Sequence, residues 1–471
     1  MHKLTFSVAL AASVAAALAA CNSSSDEVAA APPPAAEAPA AAPLDAELVT
    51  LISAHAAATA RDPGPRTAAA GTGAALKGLT PSELRAFNLS KDDFTSAEDV
   101  EGGLGPTMNL DNCGGCHAHP ATGGTSPTVN PEVAFATLNG ARNVLPPFVT
   151  RNGPALVPRF VKNADGSLDG TPHPLFTITG RADAPGCSLA QPDFAAAIAA
   201  NNIVFRIPLQ LFGNGLVEQI PDQEILASQA ASAAARLALG IKGHPNRNAT
   251  DGTIGRFGWK AQQVSLLTFA GGAYNVEMGI TSLQFPVERE QDPACQLAPT
   301  PNDIGDLNAA TAVEGLASPD KFAIFMRFLA PATPSANTPG GAASIKSGKA
   351  LFESTGCTLC HTPTLRTANA TVAALRKQDV NLFSDLMLHD MGDVLADGVV
   401  QGQAGGREFR TTPLWGVGQR LFLLHDGRTS DISQAVLAHA SPGSEANEPV
   451  RKFLQLSDTE EQDLLNFLRS L

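Results

Sequence analysis

Apolar positions are unevenly distributed along this chain. Leu4 to Ala20 is an Ala-rich apolar run behind one basic residue, Lys3. That is the shape of a signal peptide over residues 1–20, too short and wrongly flanked for a mature membrane span. No later run of about 18 apolar residues occurs. Residues 21–46 carry Ser, Ala and Pro (Pro32, Pro33, Pro34, Pro39, Pro43) and no core-forming pattern, which reads as a flexible tether. Leu48, Leu51 and Ile52 then recur at helical spacing and predict a helix over 45–60. A Gly- and Pro-rich stretch from 118 to about 335 predicts ordered loop, interrupted by short helices over 191–200, 222–239, 264–273 and 319–328. Residues 331–341 read as a linker. Beyond it, Ile345, Gly348, Leu351 and Phe352 predict a helix over 343–355. Ser457-Asp-Thr-Glu460 forms a capping box, and Leu464, Phe467, Leu468 and Leu471 mark one apolar face of the helix after it. Gly348 would let that last helix cross the 343–355 helix closely. The expected fold is mainly α, with a first domain over 47–335, enlarged by loop-rich insertions, and a second over 342–471.

Composition narrows the function. Hydrophobic residues make up 44% and charged residues 16%, which excludes a disordered chain. The net charge is −13 and no basic stripe exists, so nucleic acid is excluded as a partner. A cationic protein partner fits that charge.

The seven cysteines carry the chemistry. Four lie in two copies of one pattern, Cys113-Gly-Gly-Cys116-His117 and Cys357-Thr-Leu-Cys360-His361. Cys-x-x-Cys-His is the attachment site of c-type haem. Two thiols at this spacing reach the two vinyl groups on one porphyrin edge, and the next residue brings its imidazole under the iron. Zinc binding would need clustered ligands that are missing, and thioredoxin-type redox thiols do not call for the trailing His. Two covalently bound haems c are therefore expected. Cys187 and Cys295 remain, and an oxidising compartment would allow them to pair. Cys21 ends the sequence Leu18-Ala19-Ala20-Cys21, which resembles a bacterial lipoprotein signal. The resemblance implies acylation of Cys21 and an exported, periplasm-facing, membrane-anchored protein. Asn22 is compatible with the outer membrane.

The helix crossing around the second motif resembles the cytochrome c frame, so two cytochrome c-like haem domains are expected. The sixth ligand of the second haem has five candidates in the sequence: Met387, His389, Met391, His425 and His439. The segments Arg410-Thr-Thr-Pro-Leu-Trp415, Leu424-His-Asp-Gly-Arg428 and His439 resemble the second domain of bacterial di-haem cytochrome c peroxidases. There the distal ligand follows the His-Asp-Gly turn, and the matching position is His439. This implies bis-His ligation and a lower potential than His/Met would give. A closer resemblance is to the di-haem oxidoreductase family of peroxidase-like and "thiol oxidoreductase" proteins. It rests on Phe212–Asp222, Gly255–Ala261, Glu277–Thr281, Leu388–Gly392 and Leu424–Arg428. For the first haem, His119 is too close to His117 to reach the distal side. Met278 and Glu277 stand in a matching segment, with Trp259 and Lys260 in another. Met278 as ligand would close that iron; Glu277 as general acid/base would serve an open one. A buried Met beside a salt-bridged Glu is the third reading.

The leading expectation is an oxidoreductase taking electrons from a small redox protein or small-molecule donor at the second haem. They would pass to the first haem to reduce peroxide or another small oxidant. The alternatives are an electron carrier with both irons six-coordinate, an oxidase of an organic or protein substrate, and thiol chemistry at Cys187 and Cys295.

Overall fold

The computed structural model describes residues 43–67, 70–108, 110–135, 145–173 and 182–471. The signal peptide, Cys21 and the tether up to residue 42 lie outside the described residues. The helices that place the site are α1 (Ala46–His55), α2 (Pro81–Thr95), α3 (Leu266–Met278), α4 (Ser318–Phe328), α5 (Gly341–Ser354), α6 (Ile432–Leu437), α7 (Asn447–Leu454) and α8 (Asp458–Ser470). Strands are short: among the described residues they form three two-stranded antiparallel sheets. Val157–Phe160 pairs with Ile203–Arg206, and Leu388–Asp390 with Glu408–Arg410. Helix at 35% outweighs strand at 10%, in line with the expected helical bias, and the rest is loop.

Each helix starts where a side chain can satisfy its first N–H groups. Thr80 and Glu83 make a reciprocal capping box at α2, with Pro81 in the first turn. Ser457 and Glu460 make the same box at α8. The expected helix over 222–239 is two pieces, Asp222–Ala231 and Ala233–Ala238. Ser232 breaks it by turning its hydroxyl back onto the carbonyls of Ser228 and Gln229.

One core is built by α2, α3 and α4. Phe87, Phe94, Phe322 and Phe325 meet there, and Cys113 packs against its rim. A second core lies where α5 crosses α8, joining Phe352, Phe383, Leu464, Leu465, Phe467 and Leu468, with Cys357 at its edge. Each fully buried Phe or Leu contributes roughly 1.5–3 kcal/mol relative to exposure. Gly348 sits at this crossing, where a Cβ would fall 1.9 Å from the Asp463 carbonyl oxygen. The close crossing read from the sequence is therefore present. α1 docks on α7, with Leu48 fully buried beside Val450 and Ala440. The expected linker over 331–341 is pinned by backbone bonds from Thr333 to Ala70 and from Ser335 to Ser470.

Candidate haem sites

Each Cys-x-x-Cys-His turn borders its own cavity. At the N-terminal site, Asn112 caps the one-turn helix Cys113–Cys116 through Gly115 N–H. His117 follows, its Nδ1 3.0 Å from the Gly124 carbonyl oxygen and its ring edge-on to Phe94. Gly124 has to be glycine, since a Cβ there would lie 1.9 Å from the His119 carbonyl oxygen. At the C-terminal site, Cys357–Leu359 forms a single 3₁₀ turn after Gly356. His361 Nδ1 lies 3.1 Å from the Phe383 carbonyl oxygen. A histidine tied through Nδ1 to a backbone carbonyl is held in one tautomer; at His361 this leaves Nε2 for a metal, while His117 also engages the Leu209 backbone. Burial lowers the pKa of both rings, that of His361 to about 4, so both are neutral imidazoles at neutral pH.

The four cysteines of the two turns are unbonded. Burial pushes the Cys113 and Cys116 thiols well up and Cys357 to about 11. These three are not low-pKa thiolates. Among the described residues no cluster of three or more His, Cys, Asp or Glu side chains could hold a metal ion. Paired buried thiols, an anchored neutral imidazole and an adjoining cavity fit a haem.

The two cavities differ in what lines them beside the anchored histidine. The C-terminal one, about 220 Å³, is mostly apolar and is lined by His361, His439, His425, His389 and Met391. His439 Nδ1 lies 2.7 Å from the Ala435 carbonyl oxygen, so its Nε2 edge is also left for a ligand. It stands two residues past the end of α6. Burial lowers its pKa, and its charge in turn depresses that of His361 across the shared cavity. His389 is committed elsewhere, with Nε2 3.0 Å from Asp385 and Nδ1 2.7 Å from Glu445. Its pKa is raised well above the usual value by Cys360 and Asp385, although burial opposes this. His425 follows Leu424, which adopts the left-handed conformation (φ 67°). Its ring stacks on Phe409 and meets Trp259 edge-on. Met387 lies in the main core and does not reach the cavity.

The N-terminal cavity, about 180 Å³, is more polar. Glu132, Arg159, Arg206, His173 and Glu277 line it beside Cys113, Cys116 and His117. His173 is engaged with Asp169 at 2.9 Å, and His119 points away to the Gln419 carbonyl oxygen. Among the described residues this cavity has no second imidazole tethered like His439. Met278 ends α3 with its sulfur 3.8 Å from Cys113 Sγ, at the thiol edge. Glu277 lines the cavity with an accessible side chain, and desolvation raises its pKa while Arg159 opposes. Lys260 lines neither cavity. Its ammonium is fully buried, 3.1 Å from Asp397, and donates to the carbonyls of Gly405 and Glu408 above the Phe409 ring. Trp259 lines both cavities, its indole N–H fixed on the Ile207 carbonyl oxygen.

A family model described as "Di-haem oxidoreductase, putative peroxidase" matches residues 159–471. The chain belongs to the di-haem oxidoreductase family. Haem is that family's cofactor. The match contains the second Cys-x-x-Cys-His, Trp259, Glu277 and His439, and begins after the first motif. No curated protein matches the sequence. Among solved structures, Kuenenia stuttgartiensis hydrazine synthase pressurised with 20 bar xenon is similar at 18% identity, with a TM-score of 0.23. The alignment covers 34% of this di-haem oxidoreductase and 56% of that chain, so it spans little more than half of that protein.

Sequence reasoning did not single out Glu132, Arg159, Arg206 or Asp397. Asn130-Pro131-Glu132 held a signal, since Asn130 Oδ1 accepts the Glu132 N–H at the start of a short helix. Cys187 and Cys295 are joined in a disulfide and buried.

Proposed function

We propose that this di-haem oxidoreductase carries a covalent haem c at each Cys-x-x-Cys-His and reduces a peroxide with electrons from an external donor. The observation behind this is the asymmetry of the two cavities. His439 lines the apolar one together with His361, while the polar one offers Glu132, Arg159 and Glu277. When bound, the haems supply a two-electron store and, at the open site, a coordination position for a small oxidant. Cys113 and Cys116, and Cys357 and Cys360, would hold the porphyrin edges. His117 and His361 would serve as proximal ligands and His439 as the distal ligand of the C-terminal site. A site gripped from both faces reorganises little on changing oxidation state, which suits it to electron entry. Met278 is a packing residue in this reading. At the N-terminal site Arg159 would orient a peroxide, and Glu277 would hold and return its proton as general acid/base. The overall reaction consumes two electrons and two protons per O–O bond broken and yields water with a second water or an alcohol.

The acidic surface suits a cationic small redox protein as donor. A lipid on Cys21 and the tether behind it would hold the enzyme at the periplasmic face of a membrane, the outer membrane by the residue after Cys21. The test is an absorption and spin-resonance spectrum of the oxidised and half-reduced protein, with peroxide turnover by a reduced donor. One low-spin and one high-spin haem with turnover is expected. Two low-spin haems in both states, with no turnover, would instead identify an electron carrier.

A further inference from the structure

Glu132 is a buried carboxyl that the reading above leaves without a task. It is 3% exposed, lines the N-terminal cavity, and leaves one carboxyl oxygen, Oε2, without a hydrogen-bond partner. Its carboxyl is otherwise held by the Asn130 side chain and the Leu156 backbone. An unpartnered buried polar atom carries a desolvation cost of about 1–3 kcal/mol, so it calls for a ligand or a proton. The charged groups around it are unequal. Glu277, from α3, faces it across the cavity as a like charge. Cys116 is the neighbour on the haem-attachment turn. Arg159 is the cation that acts on Glu277, and its own Nε is unpartnered while its Nη1 donates to the Gly170 carbonyl oxygen. Among the described residues no such cation acts on Glu132.

We infer that Glu132 is the proton donor to a peroxide held in the N-terminal cavity, with Glu277 beside Arg159 taking the complementary role of base. This rests on the peroxide-reductase reading and deepens it. Two carboxyls in one site whose environments diverge divide acid from base between them. Glu277 takes the proton from one oxygen of the peroxide and later returns it to that same oxygen. Glu132 delivers its proton to the departing oxygen as the O–O bond breaks, so that oxygen leaves as water or an alcohol and not as an anion. The two electrons come from the external donor; with the proton returned by Glu277 and one more from solvent they reduce the retained oxygen to water, and solvent reprotonates Glu132 before the next turnover. Burial supports the assignment, raising the Glu132 pKa to about 8, so the group carries its proton at neutral pH.

The test uses the intact holoprotein and fluoride, a small anion that takes no part in redox chemistry. Fluoride bound at the open site needs the neutral carboxyl as a hydrogen-bond donor. In the wild type its affinity, read from the absorption spectrum, should be flat below about pH 8 and fall about tenfold per pH unit above it. Glu132→Gln should abolish the break near pH 8 and slow peroxide turnover by about 10²-fold or more. Glu132→Asp, which keeps a carboxyl, should retain a break. A break that persists unchanged in Glu132→Gln overturns the assignment of Glu132 and leaves the open-site reading standing. Wild-type protein that binds no fluoride at any pH overturns the open site itself, and the assignment with it.

Discussion

Gly348→Ala is the substitution whose sign separates packing from helix propensity. In an exposed helix, Gly→Ala stabilises by about 1 kcal/mol. At the α5–α8 crossing the new Cβ would lie 1.9 Å from the Asp463 carbonyl oxygen, 2.5 Å from its carbon and 2.8 Å from Phe467 Cβ. Ordinary contact begins near 3.4 Å, and the obstruction is backbone, which no rotamer change relieves. The helices would have to separate by about 1.5 Å. Overpacking of this kind costs about 1–3 kcal/mol or more, so it outweighs the propensity gain. The net expectation is a loss of about 2 kcal/mol. Phe352 and Phe467 both sit at this crossing, and Phe352 packs 5.9 Å from His361, so the C-terminal haem environment should change too. The assay is urea unfolding followed by circular dichroism and by haem absorbance. Gly272→Ala on α3 is the control, because its Cβ would meet nothing closer than 3.7 Å. A Gly348→Ala protein as stable as the Gly272→Ala protein would refute the close crossing.

His439→Ala should keep the C-terminal haem attached but convert its low-spin spectrum to high-spin, with added imidazole restoring it; an unchanged spectrum removes His439 as ligand. Replacing both Cys187 and Cys295 by Ser opens a link between residues 108 apart. It should lower stability by about 4–5 kcal/mol while leaving turnover per folded molecule intact; lost turnover in folded protein would point to thiol chemistry. His425 is 5% exposed, and burial lowers its pKa to about 4, against about 6.5 in the unfolded chain. Between these values only the unfolded chain binds the proton, so stability is full above about pH 6.5 and falls on acidification by up to about 3 kcal/mol. His425→Asn should flatten that part of the unfolding midpoint against pH, and an unaltered profile would show that His425 is not its source.

The haem turns were legible because their chemistry is local: two thiols and an imidazole within five residues. The α8 capping box was legible for the same reason, and the Thr80–Glu83 box announced α2 just as plainly to any search for that pattern. The α5–α8 crossing could be read because a single Gly in an apolar face has few other uses. What the sequence hid is set by distance along the chain. Glu132 and Glu277 share a cavity although 145 positions separate them. Lys260 becomes a buried structural cation only once Asp397 and Phe409 surround it. The strand pairs are two to four residues long, too short for alternation to show. His439 lies past its helix because Nδ1 and the backbone N–H turn back onto Ala435 and Val436, a local tie that hydrophobic spacing does not encode.

The account depends most on both porphyrins being bonded to the chain. Denaturing intact-mass measurement of protein made alongside haem-maturation machinery tests this directly. The mass should exceed that of the processed chain by two haems that survive acid–organic extraction, with haem found on peptides containing Cys113–His117 and Cys357–His361. Colourless protein, or haem that washes out on extraction, would contradict it.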